Sequence, residues 1–154
     1  MDTKEIAKQI RQDLKTFKGF KFSVRTESYS GGSSIDVDIM ESPIRMIRNM
    51  SEISEDNSPC MTGRYSMKDI EKMQGEKYHQ LNNIELGKNH DYDKRQWNNG
   101  VFLTEAGHNQ LQKIVGIVRK YHRDNSDISI DYFECNFYFS LNLGKCDVAF
   151  KDGV

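Results

Sequence analysis

The sequence predicts an α+β fold: an antiparallel sheet of about four or more strands, two long amphipathic helices on its apolar face, and an irregular middle insertion. Three observations carry this expectation. Ile6, Ile10, Leu14 and Phe17 recur at helical spacing and form one apolar stripe. Phe20, Phe22 and Val24 alternate with Lys21, Ser23 and Arg25, and Ile35, Val37 and Ile39 alternate with Asp36 and Asp38. Near the end of the chain, Phe133, Cys135, Phe137, Phe139, Leu141 and Leu143 alternate with polar residues and tyrosines. Both of these last patterns have the period of two that marks a half-buried strand.

Taken in order, the first helix spans about residues 3–18. Asp2 caps it, Glu5 completes a capping box, and Gly19 stops it. Its outward side carries Lys4, Lys8, Arg11 and Lys15. A hairpin follows, with Ser30-Gly31-Gly32-Ser33-Ser34 as its loop. If residues near 25 and 36 face each other, Lys21 and Arg25 meet Asp36 and Asp38. Such cross-strand ion pairs contribute about 0.2–1 kcal/mol and account for these charges without a ligand.

Pro43 opens a short helix, Ile44 to Ile53, with Ile44, Ile47 and Met46 or Met50 on its buried side. Residues 54–66 read as loop and residues 67–73 as a short helix. Asn82-Asn83, the run from Gly87 to Asp93, and Asn98-Asn99-Gly100 are all prone to turns. Residues 54–100 are therefore expected to be either an elaborated insertion or a mobile interaction segment. Thr104 caps a helix of about residues 105–124, with Leu111, Ile114, Val115, Val118 and Tyr121 or His122 facing inward. After the last strand, Gly144-Lys145-Cys146-Asp147 turns the chain and Val148-Ala149-Phe150 pairs back. Residues 1–154 are expected to form a single domain.

Composition narrows the function classes. Only 36% of residues are apolar, below the usual share of about 45–50% with glycine counted, so the core is expected to be modest. The net charge of -1 fits neither a binder of nucleic acid by global charge nor a strongly acidic imitator of DNA. Cys60, Cys135 and Cys146 have no close spacing, which points to a reducing compartment. Met1-Asp2-Thr3-Lys4-Glu5 lacks the apolar run of a signal peptide, and no stretch approaches the roughly 20 apolar residues of a membrane span. A soluble protein of the cytoplasm, with no membrane partner, is the expectation.

No catalytic residue, cofactor or metal site emerges from the pattern. The Ser-Gly loop lacks the Gly-Lys-Ser/Thr ending of a phosphate loop, and a strand rather than a helix follows it. The cysteines lack the paired spacing of zinc ligands, and nothing places a histidine base beside a thiol. His90-Asp91-Tyr92-Asp93-Lys94-Arg95 lies in a turn-rich run and reads as an exposed loop. The outer face of the sheet and its hairpin supply the candidate partner-binding residues Lys21, Arg25, Tyr29, Ser30, Tyr132, Asn136 and Tyr138. Three uses stay open for this face: solvated surface, protein contact, or a stacking platform for single-stranded nucleic acid.

The opening helix Ile6-Ala7-Lys8-Gln9-Ile10-Arg11-Gln12-Asp13-Leu14-Lys15, with Phe20 to Arg25 and Ser28-Tyr29-Ser30-Gly31-Gly32-Ser33-Ser34-Ile35-Asp36-Val37, resembles a large polyvalent protein-associated domain. The segments Leu103 to Gly107, Tyr121 to Asp127 and Asp131 to Tyr138 resemble the tail of such domains. These are small modules of phage and plasmid proteins, and this chain resembles a free-standing version. The resemblance implies a mobile-element context and carries over no catalytic residue. It implies a non-enzymatic counter-defence protein in the bacterial host cytoplasm. Its expected partner is a bacterial defence protein, first of all a CRISPR effector complex, which would make it an anti-CRISPR inhibitor. The rival reading is a nucleic-acid-binding accessory module that uses Lys21, Arg25, Tyr132, Tyr138 and the basic helix faces. An enzyme of unrecognised type would need a concave polar site.

Overall fold

Helix α1 (Thr3–Leu14) begins at Asp2, whose carboxylate accepts from the Glu5 amide at 2.9 Å while Glu5 accepts from the Asp2 amide at 3.2 Å. The computed structural model describes residues 2–49, 51, 78–81, 83–88, 91–93, 103–122 and 136–154. The capping box satisfies amides that a helix start leaves without intrahelical partners. Ile6, Ala7, Ile10 and Leu14 are buried along one side. The helix ends at Leu14, short of the predicted residue 18. The amide of Phe17 bonds to the Leu14 carbonyl and that of Phe20 to the Phe17 carbonyl, tight turns that unwind the helical stripe. Gly19 sits between them at φ 85°. A side chain there would place its Cβ 2.9 Å from Pro43 Cβ, so backbone and space both require glycine.

Strands β1 (Lys21–Tyr29) and β2 (Gly32–Glu41) form the antiparallel hairpin, with Arg25 opposite Asp36 as predicted. The turn is tighter than the serine-glycine run predicts: only Ser30 and Gly31 lie outside the strands. The register slips between Lys21 and Phe22, which inserts Met40 as a bulge.

The remaining elements are β3 (His79–Gln80), α2 (Asn83–Gly87), α3 (Glu105–Arg119) and β4 (Tyr138–Leu143). The sheet order is β1-β2-β4-β3. It is mixed rather than antiparallel: β2 and β4 run parallel, with Ser34 beside Tyr138 and Ile39 beside Leu143. The reason lies in α3. Its cap Thr104 accepts from the Gly107 amide at 3.0 Å and is tied to the chain just beyond β2, through Arg45 and Met46. At its other end, Asn136 donates to the Tyr121 carbonyl at 2.7 Å and Ser33 Oγ donates to the Asn136 carbonyl at 3.3 Å. The helix thus returns the chain to the start of β2, and β4 must then run alongside β2 in the same direction.

Helix α3 ends at Arg119, shorter than the predicted 105–124, yet Leu111, Ile114, Val115 and Val118 are buried as predicted. Tyr121 follows in a turn, and its hydroxyl donates to Asp13 Oδ2 of α1 at 2.6 Å. The two helices therefore meet at their C-terminal ends.

Residues 44–49 are not helical, contrary to expectation. The Asp152 carboxylate accepts from the amides of Met46 (2.6 Å) and Ile47 (3.1 Å), and Ile47 forms a bridge with Leu103. These long-range bonds hold the backbone extended, and Met46 is fully buried. The chain after β4 also departs from expectation. Lys145 and Val148 close a tight turn, but the tail runs on beside the end of β2, where Lys151 pairs with Glu41 in parallel.

The core joins α1, α3 and the β2–β4 pair: Ile6, Ile10 and Leu14 meet Ile35, Val37 and Ile39, with Leu141, Leu143 and the α3 residues beside them. Full burial of each such side chain stabilises by about 1.5–3 kcal/mol. The helices cover one face of the sheet and leave the face carrying Arg25, Asp36 and Tyr138 to polar contacts.

Candidate functional site

Alternation and register decide which side chains share the polar face. Lys21, Ser23, Arg25, Glu27 and Tyr29 of β1 lie on it, with Ser34, Asp36 and Asp38 of β2 and Tyr138, Ser140 and Asn142 of β4. At its centre stands Asp38, which has no solvent exposure. Arg25 holds it with two bonds, Nε to Oδ2 at 2.7 Å and Nη2 to Oδ1 at 3.1 Å. Asn142 adds a third, from Nδ2 to Oδ1 at 2.9 Å. A buried carboxylate is tolerable only when it is paired and hydrogen-bonded in this way.

The charges here are mutually engaged. The bond to Asp38 is the largest cause that holds the Arg25 pKa above its ordinary value, with Asp36 and Cys146 adding smaller attractions. Asp36 lies 3.7 Å from Arg25. Burial raises the Asp36 pKa, Arg25 opposes the rise, and Asp38 and Glu27 add to it. Lys21 bonds Glu41 at 2.9 Å; that hydrogen bond is the main reason the lysine pKa is raised and the glutamate pKa lowered. Both predicted cations are thus matched by carboxylates, Arg25 with the two predicted partners and Lys21 with Glu41 instead.

Tyr29 and Tyr138 come together at the hairpin end of the face. Their rings stack with centroids 6.4 Å apart and planes 20° from parallel. Both remain about half exposed, at 46% and 51%. Ser30 sits at the exposed tip of the turn beside them. Asn136 takes a different place: its amide is committed to the end of α3. Tyr132 lies outside the described residues, as do Cys60, Cys135 and His90.

Asp38, Ser140 and Asn142 complete the cluster, and the sequence pattern did not single out the last two. The signal that finds them is the parity of β4, which puts Ser140 and Asn142 on the face of Tyr138 whichever way the strand runs; the parallel register then sets Asn142 beside Asp38. His79, His108 and His122 are dispersed over β3, the buried side of α3 and its end. His122 Nε2 is 3.0 Å from the Phe137 carbonyl, and the His108 ring packs edge-on to Tyr92 at 5.6 Å. Among the described residues, no three His, Cys, Asp or Glu side chains gather as metal ligands would, and no helix is long and apolar enough to cross a membrane.

These features define a small α+β module with an ordered polar face and a stacked tyrosine pair. A family model described as large polyvalent protein associated domain 29 matches residues 1–106, and the chain belongs to that family. The family is associated with polyvalent proteins of phages and plasmids. The match takes in the middle third and stops in the first turn of α3, so it includes Leu103 to Ala106, while the resemblance of Tyr121 to Asp127 and Asp131 to Tyr138 lies outside it. Among curated proteins and among solved structures the search found no match to this chain.

Proposed function

We propose that this protein acts by binding: it is a counter-defence protein of a mobile genetic element that engages and inhibits a bacterial defence protein. The target class we favour is a CRISPR effector nuclease, which would make the protein a non-enzymatic anti-CRISPR inhibitor. The family's association with phage and plasmid proteins supports the context. The observation that carries the binding mode is the stacked Tyr29–Tyr138 pair beside the closed Arg25–Asp38–Asn142 cluster. Tyrosines held rigid on a polar surface supply contact area at little entropic cost and are favoured at protein interfaces. On this face nucleic acid would instead require cations able to neutralise phosphates, whereas its Arg25 and Lys21 are engaged by carboxylates.

The test is inhibition of purified CRISPR effectors in a DNA-cleavage assay, with binding followed in parallel after nuclease treatment. A stoichiometric block, weakened at least tenfold by Tyr29→Ala with Tyr138→Ala, is the expected outcome. Retention of nucleic acid alone, lost at moderate salt, would sink the inhibitor reading in favour of the accessory module.

A further inference from the structure

A second surface lies on the opposite side of β1, away from the tyrosine pair. Between the end of α1 and β1 runs an open groove of about 450 Å³. Its floor is Phe17, Phe20, Phe22 and Val24. The three rings fix one another: Phe20 stacks on Phe22 at 5.8 Å with planes 9° apart, and Phe17 stands edge-on to both at 6.0 and 6.1 Å. All three rings stay half-buried, so a preformed aromatic floor is left partly in water.

Charge at the rim is one-sided. Arg11, Lys15 and Lys18 line it, and the groove wall contains no carboxylate. Among the described residues no acid pairs with any of the three, whereas Lys21, Arg25 and Lys120 all have such partners. The backbone contributes as well. β1 is the outer strand of the sheet, and Arg11 Nη2 donates to the Val24 carbonyl at 2.7 Å. That carbonyl therefore points away from β2. In an antiparallel ladder the amide of the same residue, and the groups two residues along, point the same way. The groove is thus bordered by outward-facing backbone of an edge strand, the feature that an added peptide strand uses.

We infer that this groove binds an acidic, extended segment of a partner protein, with a bulky apolar side chain seated on the phenylalanine floor and flanking carboxylates on Arg11, Lys15 and Lys18. The ring geometry favours a peptide over a single-stranded nucleic acid. Phe20 and Phe22 spend a face on each other and Phe17 stands across both, which leaves edges and a cleft for an apolar side chain rather than open faces for bases. The surface is separate from the tyrosine pair, so it stands or falls apart from the inhibitor reading.

A display selection of random peptides on the full chain tests it. The expected result is enrichment of peptides with one or two bulky apolar residues among aspartates and glutamates. A selected peptide should lose at least tenfold in affinity to Lys15→Glu with Lys18→Glu, two exposed positions, and to Phe20→Ala, with thermal melts confirming that the variants fold. No enrichment would overturn the inference, as would selected peptides whose affinity the charge reversals leave unchanged. Displacement of nothing but oligothymidylate by heparin, with no acidic peptide bound, would assign the groove to nucleic acid and overturn it too.

Discussion

Arg25 reaches past Asp36, its direct cross-strand neighbour, to grip Asp38 two residues along β2 at 2.7 and 3.1 Å. The partners differ sharply in exposure, 48% for the arginine side chain and 0% for the aspartate. Removing one is therefore unlike removing the other. Arg25→Ala takes two of three hydrogen bonds from a carboxylate that is fully buried in the folded protein, at a cost of about 2–3 kcal/mol. Asp38→Asn leaves a guanidinium that turns to solvent and to Asp36, at about 1 kcal/mol. Urea unfolding of the two variants measures the difference, and equal losses would contradict the asymmetry.

Asp36 gives the fold a pH dependence of defined sign. Burial raises its pKa in the folded state, so the folded protein holds that proton more tightly than the unfolded chain does. The associated stability is fully present below the unfolded value of about 3.9 and is lost as pH rises through the folded value. Asp36→Asn removes this loss. The variant should melt higher than the parent at pH 7, and the gap should close as pH falls below about 4. A gap independent of pH would show that the ionisation is not its source.

Two glycines predict opposite outcomes for the same substitution. Gly116, on the exposed side of α3, has open space where a Cβ would stand, with nothing within 4 Å, so Gly116→Ala should stabilise by about 0.5–1 kcal/mol through helix propensity. Gly19→Ala meets Pro43 at 2.9 Å with φ at 85° and should destabilise by about 1–3 kcal/mol. Thermal melts of both variants check the signs.

The boundary of the family match can be tested as a boundary of folding. A chain cut after Ala106 keeps the hairpin but loses Leu111, Ile114, Val115 and Val118 of α3, with Leu141 and Leu143 of β4. At about 1.5–3 kcal/mol for each buried side chain, the loss matches a typical total stability of about 5–15 kcal/mol. Circular dichroism and amide NMR dispersion should show an unfolded chain. A cooperative melt of the 106-residue piece would refute this.

Local periodicity made the first helix, the hairpin register and the buried stripe of α3 legible, because each is set by residues a few positions apart. The direction of β4 was not. Its alternation is the same whether the strand runs with or against its neighbour, and only the anchors of α3 at Met46 and Asn136 decide between them. Residues 44–49 misled for a similar reason. Pro43 and the apolar spacing read as a helix, but Asp152 takes the Met46 and Ile47 amides from 106 and 105 residues away. On the polar face, the pairing of Arg25 with Asp36 and Asp38 followed from register alone. Asn142 joined them only through the parallel crossover, and Tyr132 falls outside the described residues.

The parallel pairing of β2 with β4 also sets the order in which this fold can assemble. The hairpin closes from neighbouring residues, but the inner edge of β2 is completed by residues about 104 positions later, as the bond between Asn142 and Asp38 measures. Contacts that distant slow folding, because the loop must close before they contribute. Until then β2 presents unpaired backbone, flanked by Ile35, Val37 and Ile39, to any other chain in the same state. The dangerous interval for this protein is thus its birth rather than its working life, and refolding yield should fall with concentration more steeply than native stability would suggest.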